Sequence, residues 1–257
     1  KHMRTSNWLT AGLLTVALVG VPTIAAAQET LNIKRSEHPL TRPEGTITPF
    51  GGFGFTIIDG IDDTFINFAA GVEYSITDDF EVGAVVLPLA LSPEFDFGNP
   101  IVGARYRFLR TAVEVAGGVE FRIPVQDGAD PAVAINVPVL FGLSLTTRLQ
   151  VTPTLVLNIG DAATTKALSI PVDFVVNFTD TVFLTAGLGF VTSLEEGSEG
   201  ALVPFNIGFG YTLAAPHIDI QAGLTFPQFM RLGFPDGVET FGASDIIGIT
   251  LGATAYL

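Results

Sequence analysis

Apolar side chains recur at every second residue along most of this chain. The clearest case is FVVNFTDTVFLTAGLGF, which runs from Phe174 to Phe190. The alternation pauses once, at the Thr-Asp-Thr run, and resumes beyond it. A period of two is typical of a strand whose two faces meet different surroundings. The stretch therefore predicts a hairpin. Because a hairpin suits a water-soluble sheet as well as a membrane barrel, other features must decide between them.

Twelve such segments follow one another from Gly45 onward. Most have about 9–11 residues or slightly more, which is the length that a tilted transmembrane strand requires. One alternating segment is a weak signal, but twelve in succession strongly favour a membrane barrel. A soluble protein of this length would have to hide twelve apolar faces in one core. The segments cover residues 45–57, 65–76, 80–89, 100–109, 112–124, 132–145, 149–159, 167–178, 182–192, 201–213, 218–226 and 245–257.

The connections between the segments alternate between short and long. Five are tight turns, and six are longer and rich in Gly, Asp, Glu or Pro. Short turns at one end and long loops at the other are typical of an up-and-down barrel, whose closed sheet also satisfies every backbone hydrogen bond. Counting outward from the tight turns predicts five opposed pairs: Ser75 with Glu81, Leu109 with Ala112, Leu145 with Leu149, Phe178 with Val182, and Leu213 with Ile218.

The start of the chain predicts export. Residues 3–27 have the features of a cleavable signal peptide, with Arg4 before an apolar run and Ala25-Ala26-Ala27 at the cleavage site. A retained N-terminal anchor is the alternative. Residues 28–44 are polar and irregular and predict a flexible periplasmic leader. Residues 45–257 then form the barrel.

Composition narrows the classes of partner and chemistry. The chain has 26 acidic and 12 basic residues and a formal net charge of −14, which argues against nucleic acid and favours cations or basic surfaces. With no cysteine and three histidines, it offers few ligands for His-rich metal sites and no thiol for catalysis. We therefore predict neither an enzyme nor a bound cofactor or metal. His217 lies in a turn, where we expect it to be solvated.

These features together resemble the bacterial outer-membrane β-barrel proteins, in a porin-like form of about twelve strands. The resemblance implies an all-β, closed, up-and-down antiparallel barrel in the outer membrane, surrounded by lipid, with both termini in the periplasm. The chain departs from that class at its end, where Leu257 replaces the usual aromatic residue. It also carries Pro138, Pro153, Pro171 and Pro204 inside predicted strands. We expect these prolines at bulges or strand ends, because each removes a ladder hydrogen bond.

Charged residues on the inward parity predict the lining of the lumen. They permit two interpretations: a selectivity lining with a transverse field, or a structural network of cross-strand ion pairs such as Arg107 with Glu114. The predicted lining residues are Glu73, Glu81, Arg105, Arg107, Glu114, Glu120, Arg122, Asp173 and Asp219.

The long loops carry a second acidic set. It would draw cations to the mouth of a pore, form a surface for a protein partner, or simply be a solvated acidic rim. No loop has the spacing of an EF-hand. The residues are Asp59, Asp62, Asp63, Asp127, Asp130, Glu195, Glu196 and Glu199.

Two functions follow from this sequence. The first is a narrow passive pore for small cationic or neutral solutes. The alternative is a non-conducting barrel that serves as a structural, adhesive or complex-forming surface protein. Occlusion of the lumen separates them.

Overall fold

The protein is a closed antiparallel β-barrel. The computed structural model describes residues 34–126, 129–160, 164–195, 200–232 and 245–257. Seventeen strands in these residues form one sheet, and the sheet closes because the first strand pairs with the last. The strands make twelve spans, as the sequence predicts. None of the described residues lies in a helix that is long and apolar enough to cross a membrane.

The strands are β1 Ile47–Ile58, β2 Thr64–Thr77, β3 Phe80–Ser92, β4 Asp96–Phe97, β5 Ile101–Arg110, β6 Val113–Arg122, β7 Ala132–Asn136, β8 Val139–Ser144, β9 Thr147–Val151, β10 Thr154–Ile159, β11 Thr164–Ser169, β12 Val172–Asn177, β13 Val182–Leu188, β14 Val191–Ser193, β15 Ala201–Ala214, β16 His217–Leu232 and β17 Ile246–Ala255. Four spans are divided into two strands each: β7 and β8, β9 and β10, β11 and β12, and β13 and β14. Below, the end of the barrel with the five short turns is called the turn end, and the opposite end is called the loop end.

Prolines account for three of the four divided spans; the gap between β13 and β14 contains Gly189 and Phe190 instead. Pro138, Pro153 and Pro171 each lie in the gap between two strands of one span. Pro204 lies within β15, where the register with β16 shifts between Val203 and Phe205. The proline carbonyls still accept hydrogen bonds from neighbouring spans, as when the Val137 N–H donates to Pro153 O at 3.0 Å. The expectation that the prolines occupy bulges and strand ends is confirmed.

The two faces of the wall differ as the alternation predicts. Phe174 and Phe178 are 42% and 63% exposed on the outside, whereas Val175 and Asn177 are 5% and 4% exposed because they point inward. The outer face carries aromatic side chains close to the turn end. Among them, Tyr74, Tyr106, Phe108 and Tyr211 are exposed.

Three of the five predicted hairpin registers are confirmed. Ser75 lies opposite Glu81 and Leu213 opposite Ile218. The Phe178 N–H donates to Val182 O at 2.9 Å.

The other two predicted registers are wrong. Leu109 lies opposite Val115, and Leu149 lies opposite Phe141. Both hairpins contain a register shift, and a bulge places an extra residue on one strand that counting from the turn cannot detect.

Residues 34–46 lie inside the barrel at the turn end; we call them the inserted segment. The segment begins with a short 3-10 helix, Arg35–Glu37. Leu40 packs against Ala116 and Leu140 of the wall in a small buried apolar cluster. Polar and charged groups of the wall bind residues 34–44, which belong to the predicted flexible leader. The predicted signal peptide, residues 3–27, and residues 28–33 lie outside the described residues.

Candidate functional site: the lumen and its inserted segment

The lumen has two parts that differ in content. At the turn end the inserted segment occupies the interior, and its residues Arg35, His38, Leu40, Thr41 and Arg42 are fully buried. Toward the loop end lies a cavity of about 160 Å³ lined by side chains of the barrel wall and by Arg35.

Arg42 connects the inserted segment to two wall carboxylates. Its Nη2 lies 2.5 Å from Glu73 Oε2, and its Nη1 donates to Glu81 Oε2 at 2.7 Å. Burial alone would lower the pKa of Arg42, but the charges of Glu73 and Glu81 outweigh that effect and raise it. Arg42 therefore stays charged and holds the segment to β2 and β3.

Arg35 makes a second anchor, on β16 and the residue after β17, which β1 separates from β2. Its Nη1 donates to Asp219 Oδ2 at 3.1 Å and to the Tyr256 hydroxyl at 2.8 Å. The Tyr256 hydroxyl in turn donates to Asp219 Oδ2 at 2.7 Å, and Thr212 Oγ1 donates to Asp219 Oδ1 at 2.6 Å. Both oxygens of Asp219 thus accept hydrogen bonds, Oδ2 from Arg35 and Tyr256 and Oδ1 from Thr212, which compensates for the burial of the carboxylate.

Wall side chains also bind the backbone of the inserted segment. Arg148 Nη1 donates to His38 O at 2.7 Å, and Arg105 Nη1 donates to Leu40 O at 3.1 Å. Glu114 Oε2 accepts from the Leu40 N–H at 2.9 Å. These bonds replace the water that an irregular backbone inside a barrel would otherwise need.

Arg107 braces the wall beneath the segment. Its Nη1 donates to Glu114 Oε2 at 3.1 Å, and its Nε donates to Asp79 Oδ1 at 3.0 Å. The predicted ion pair of Arg107 with Glu114 is present, although Arg107 lies opposite Ala116 in the ladder. This part of the predicted lining therefore forms a structural network.

His217 is buried, and the expectation that it is solvated is wrong. Only 8% of its surface is exposed. Its ring centroid lies 4.6 Å from that of Tyr256 and 5.8 Å from that of His38. The inserted segment covers the turn in which His217 begins β16, and this tertiary contact is not visible in the local sequence.

The remaining predicted lining residues lie farther toward the loop end. Glu120 accepts from Asn136 Nδ2 at 3.1 Å, and Asp173 accepts from the Asn206 side chain; both acids line the cavity. Arg122 donates to Asn158 Oδ1 at 2.8 Å.

The acidic loop residues that are described all lie at the loop end. Asp59, Asp62 and Asp63 are exposed in one connection, between β1 and β2, and Asp130 is exposed in another. Glu195 is half-buried and accepts from the Lys166 N–H at 3.1 Å. Asp127, Glu196 and Glu199 lie outside the described residues. Across the ranges that the structure describes, no three His, Asp or Glu side chains are placed to hold a metal ion.

Sequence reasoning missed four residues of this site. Arg35 and Arg42 lie in the predicted leader, and Arg148 and Tyr256 are absent from the predicted lining.

Comparisons with known proteins identify the fold. No protein-family model and no curated protein matches this sequence. Several solved structures do match. An outer membrane channel from Pseudomonas putida F1 matches with a TM-score of 0.59 and 12% identity, over 84% of this chain and 96% of that chain. The chain is thus similar in fold to bacterial outer-membrane channels.

Two porins support the same conclusion. The NanC porin matches with a TM-score of 0.58 and 8% identity, over 82% of this chain and 100% of that one. The KdgM porin, solved with disordered oligogalacturonate, matches with a TM-score of 0.53 and 7% identity, over 80% of this chain and 98% of that one. At such low identity the likeness is one of architecture, so the function must be argued from the lumen.

Proposed function

We propose that the protein is an outer-membrane barrel that acts as a narrow passive pore for small cationic or neutral solutes. The observation that carries the proposal is a cavity of about 160 Å³ inside a closed barrel, whose lining includes amide, hydroxyl and charged side chains. A water-filled path lined by amides, hydroxyls and opposite charges suits small hydrated solutes. The acidic residues exposed at the loop end raise the local concentration of cations at the mouth.

The outer surface supports placement in a membrane. Large apolar side chains cover the outside of the wall, and Tyr106, Phe108 and Phe209 are each more than half exposed. Soluble monomers rarely expose a continuous apolar surface of this size, whereas lipid would cover it. By the usual arrangement of such barrels, the turn end and both termini lie in the periplasm.

The inserted segment imposes a condition on transport. Because Arg35 and Arg42 are buried and bound at the turn end, solutes cross only when the segment shifts or leaves. The proposed pore is therefore a gated one, closed from the periplasmic side.

One observation favours a second function. A segment held to the wall at two places by ion pairs is also what a non-conducting barrel would contain, and the acidic loop end would then bind a protein partner. In that case the barrel has a structural, adhesive or complex-forming role.

Conductance separates the two functions. The full-length barrel is refolded into a planar bilayer under a salt gradient, and the current and reversal potential are recorded. Discrete steps with a cation-selective reversal potential are expected. A silent membrane, with folding and insertion verified by protease protection, would contradict the pore and support the non-conducting barrel.

A further inference from the structure

Two arginine–acid pairs in the lumen are placed close together without forming ion pairs. One comprises Arg105 on β5 and Glu120 on β6; the other comprises Arg148 on β9 and Asp173 on β12. All four side chains line the same cavity. Arg105 instead forms an ion pair with Glu81 at 3.7 Å, and Arg148 donates to the His38 carbonyl. The two cavity acids receive hydrogen bonds from the neutral amides of Asn136 and Asn206.

The ladder register fixes the arrangement within each pair. Arg105 lies opposite Gly118, so Glu120 is its diagonal neighbour, two residues nearer the loop end. Arg148 lies opposite Val175, so Asp173 is likewise its diagonal neighbour, two residues nearer the loop end. Diagonal neighbours on adjacent strands are about 7 Å apart. Both pairs therefore have the same polarity, with the carboxylate toward the loop end and the guanidinium toward the turn end.

Each of the two arginines also has an N–H group without a hydrogen-bond acceptor in the part of the chain that the structure describes. The Nε atoms of Arg105 and Arg148 are buried and have no hydrogen-bond partner among the described residues. Arg148 is itself only 4% exposed. A buried guanidinium N–H is costly to leave without an acceptor, and a carboxylate is the acceptor that suits it best.

We propose that this cavity binds small zwitterionic solutes, oriented with the ammonium group toward Glu120 and Asp173 and the carboxylate toward Arg105 and Arg148. A solute with one charge meets one favourable and one unfavourable group in each pair, whereas a dipolar solute satisfies both. Such solutes carry no net charge and belong to the neutral class proposed above. The inference therefore rests on the proposed pore function, because binding matters for transport only if the barrel conducts. Binding itself requires only access from the loop end.

The test is equilibrium binding to the full-length barrel in detergent micelles at neutral pH, measured by isothermal titration calorimetry. The probes are 4-aminobutanoate, butanoate and butylamine, which share a chain length but differ in charge. We expect 4-aminobutanoate to bind about tenfold or more tightly than either singly charged probe. Equal affinities for the three probes, or no detectable binding of 4-aminobutanoate, would overturn the inference.

Variants identify the groups responsible. In Asp173→Asn and Glu120→Gln, which leave the contacts of the inserted segment intact, 4-aminobutanoate should bind several-fold more weakly and butanoate more tightly, because a repelling carboxylate is gone. Glu94→Gln, an exposed loop change of the same kind, should leave all three affinities unaltered. Loss of affinity for every probe alike, or the same effect in Glu94→Gln, would count against the proposal.

The outcome is separable from that of the pore test. Conductance without zwitterion binding refutes this inference alone. Zwitterion binding to a silent barrel refutes the pore and leaves a binding barrel.

Discussion

The two parts of the lumen use the same residue types to opposite effect. At the turn end, Arg35 and Arg42 come from the inserted segment and meet wall carboxylates at 3.1 Å and 2.7 Å. In the cavity, Arg148 and Asp173 are diagonal neighbours on the wall and form no ion pair with each other. The register alone does not keep them apart, because Arg107 and Glu114 have the same diagonal relation and pair at 3.1 Å. Arg148 instead donates to the His38 carbonyl of the inserted segment. The first arrangement closes the barrel and the second leaves a polar surface.

The largest effect should come from Arg42→Met, which leaves Glu73 without its partner and Glu81 with only the 3.7 Å ion pair to Arg105. Removing one member of a buried ion pair costs roughly 3–5 kcal/mol. We expect the inserted segment to detach, which should speed trypsin cleavage after Arg35 and increase conductance. Arg110→Met is the matched control, because the Arg110 side chain is 55% exposed in its pair with Asp78. If the two variants behave alike, the turn end is not held closed by buried pairs.

Two isosteric substitutions, one at the turn end and one in the cavity, should affect different properties of the pore. Glu114→Gln weakens the bonds from the Leu40 N–H and Arg107, and a hydrogen bond to a charged group contributes about 1.5–3 kcal/mol. It should therefore raise the open fraction in single-channel records and leave the reversal potential unchanged. Glu120→Gln lies in the cavity and should move the reversal potential while leaving the open fraction unchanged. The opposite assignment of the two effects would refute the division of the lumen.

Tyr256→Phe should have a smaller effect on the turn end. It removes a hydroxyl that accepts from Arg35 and donates to Asp219. Because Asp219 keeps Arg35 and Thr212, we expect a loss of about 1 kcal/mol in the stability of the segment. Hydrogen exchange of the amides of residues 35–42 measures this loss. Protection equal to that of the unaltered protein would show that the hydroxyl contributes nothing to the anchor.

The smallest effect should be that of pH at the Asp78 turn. The Glu44 N–H donates to Asp78 Oδ1 at 3.0 Å, and this bond, with Arg110 nearby, lowers the pKa of Asp78 below its ordinary 3.8. A lowered folded-state pKa adds stability that is complete above the ordinary value and is lost as pH falls through the folded value. Unfolding titrations between pH 5 and 2 should therefore show that the free energy of unfolding falls slightly less for Asp78→Asn than for the unaltered chain. If the free energy of unfolding falls equally with pH in both proteins, Asp78 contributes nothing to stability.

The wall could be predicted from the sequence because its signal is local. Alternation in twelve segments identifies the spans, and parity identifies the inward acids such as Asp173 and Asp219. The registers beside Leu109 and Leu149 could not be predicted, because a bulge leaves no mark in the apolar pattern.

The inserted segment was missed although the sequence contains a sign of it. The predicted inward set has six acids and only three arginines, and buried charges require partners. The structure supplies two of the missing cations, Arg35 and Arg42, which pair with Asp219, Glu73 and Glu81. Nothing local to residues 34–44 shows that they enter the barrel, since that outcome depends on carboxylates distant in the chain.

The most direct test of the account is to lock the inserted segment reversibly and record conductance. The Ser36 N–H donates to Asn177 Oδ1 at 2.8 Å, and the chain has no cysteine of its own, so Ser36→Cys with Asn177→Cys introduces the only two thiols. We predict that the oxidised, cross-linked barrel is silent and that reduction restores discrete steps, while Ser36→Cys alone responds to neither treatment. Equal conductance of the oxidised and reduced forms, with the cross-link verified by mass spectrometry, would contradict a pore closed by this segment.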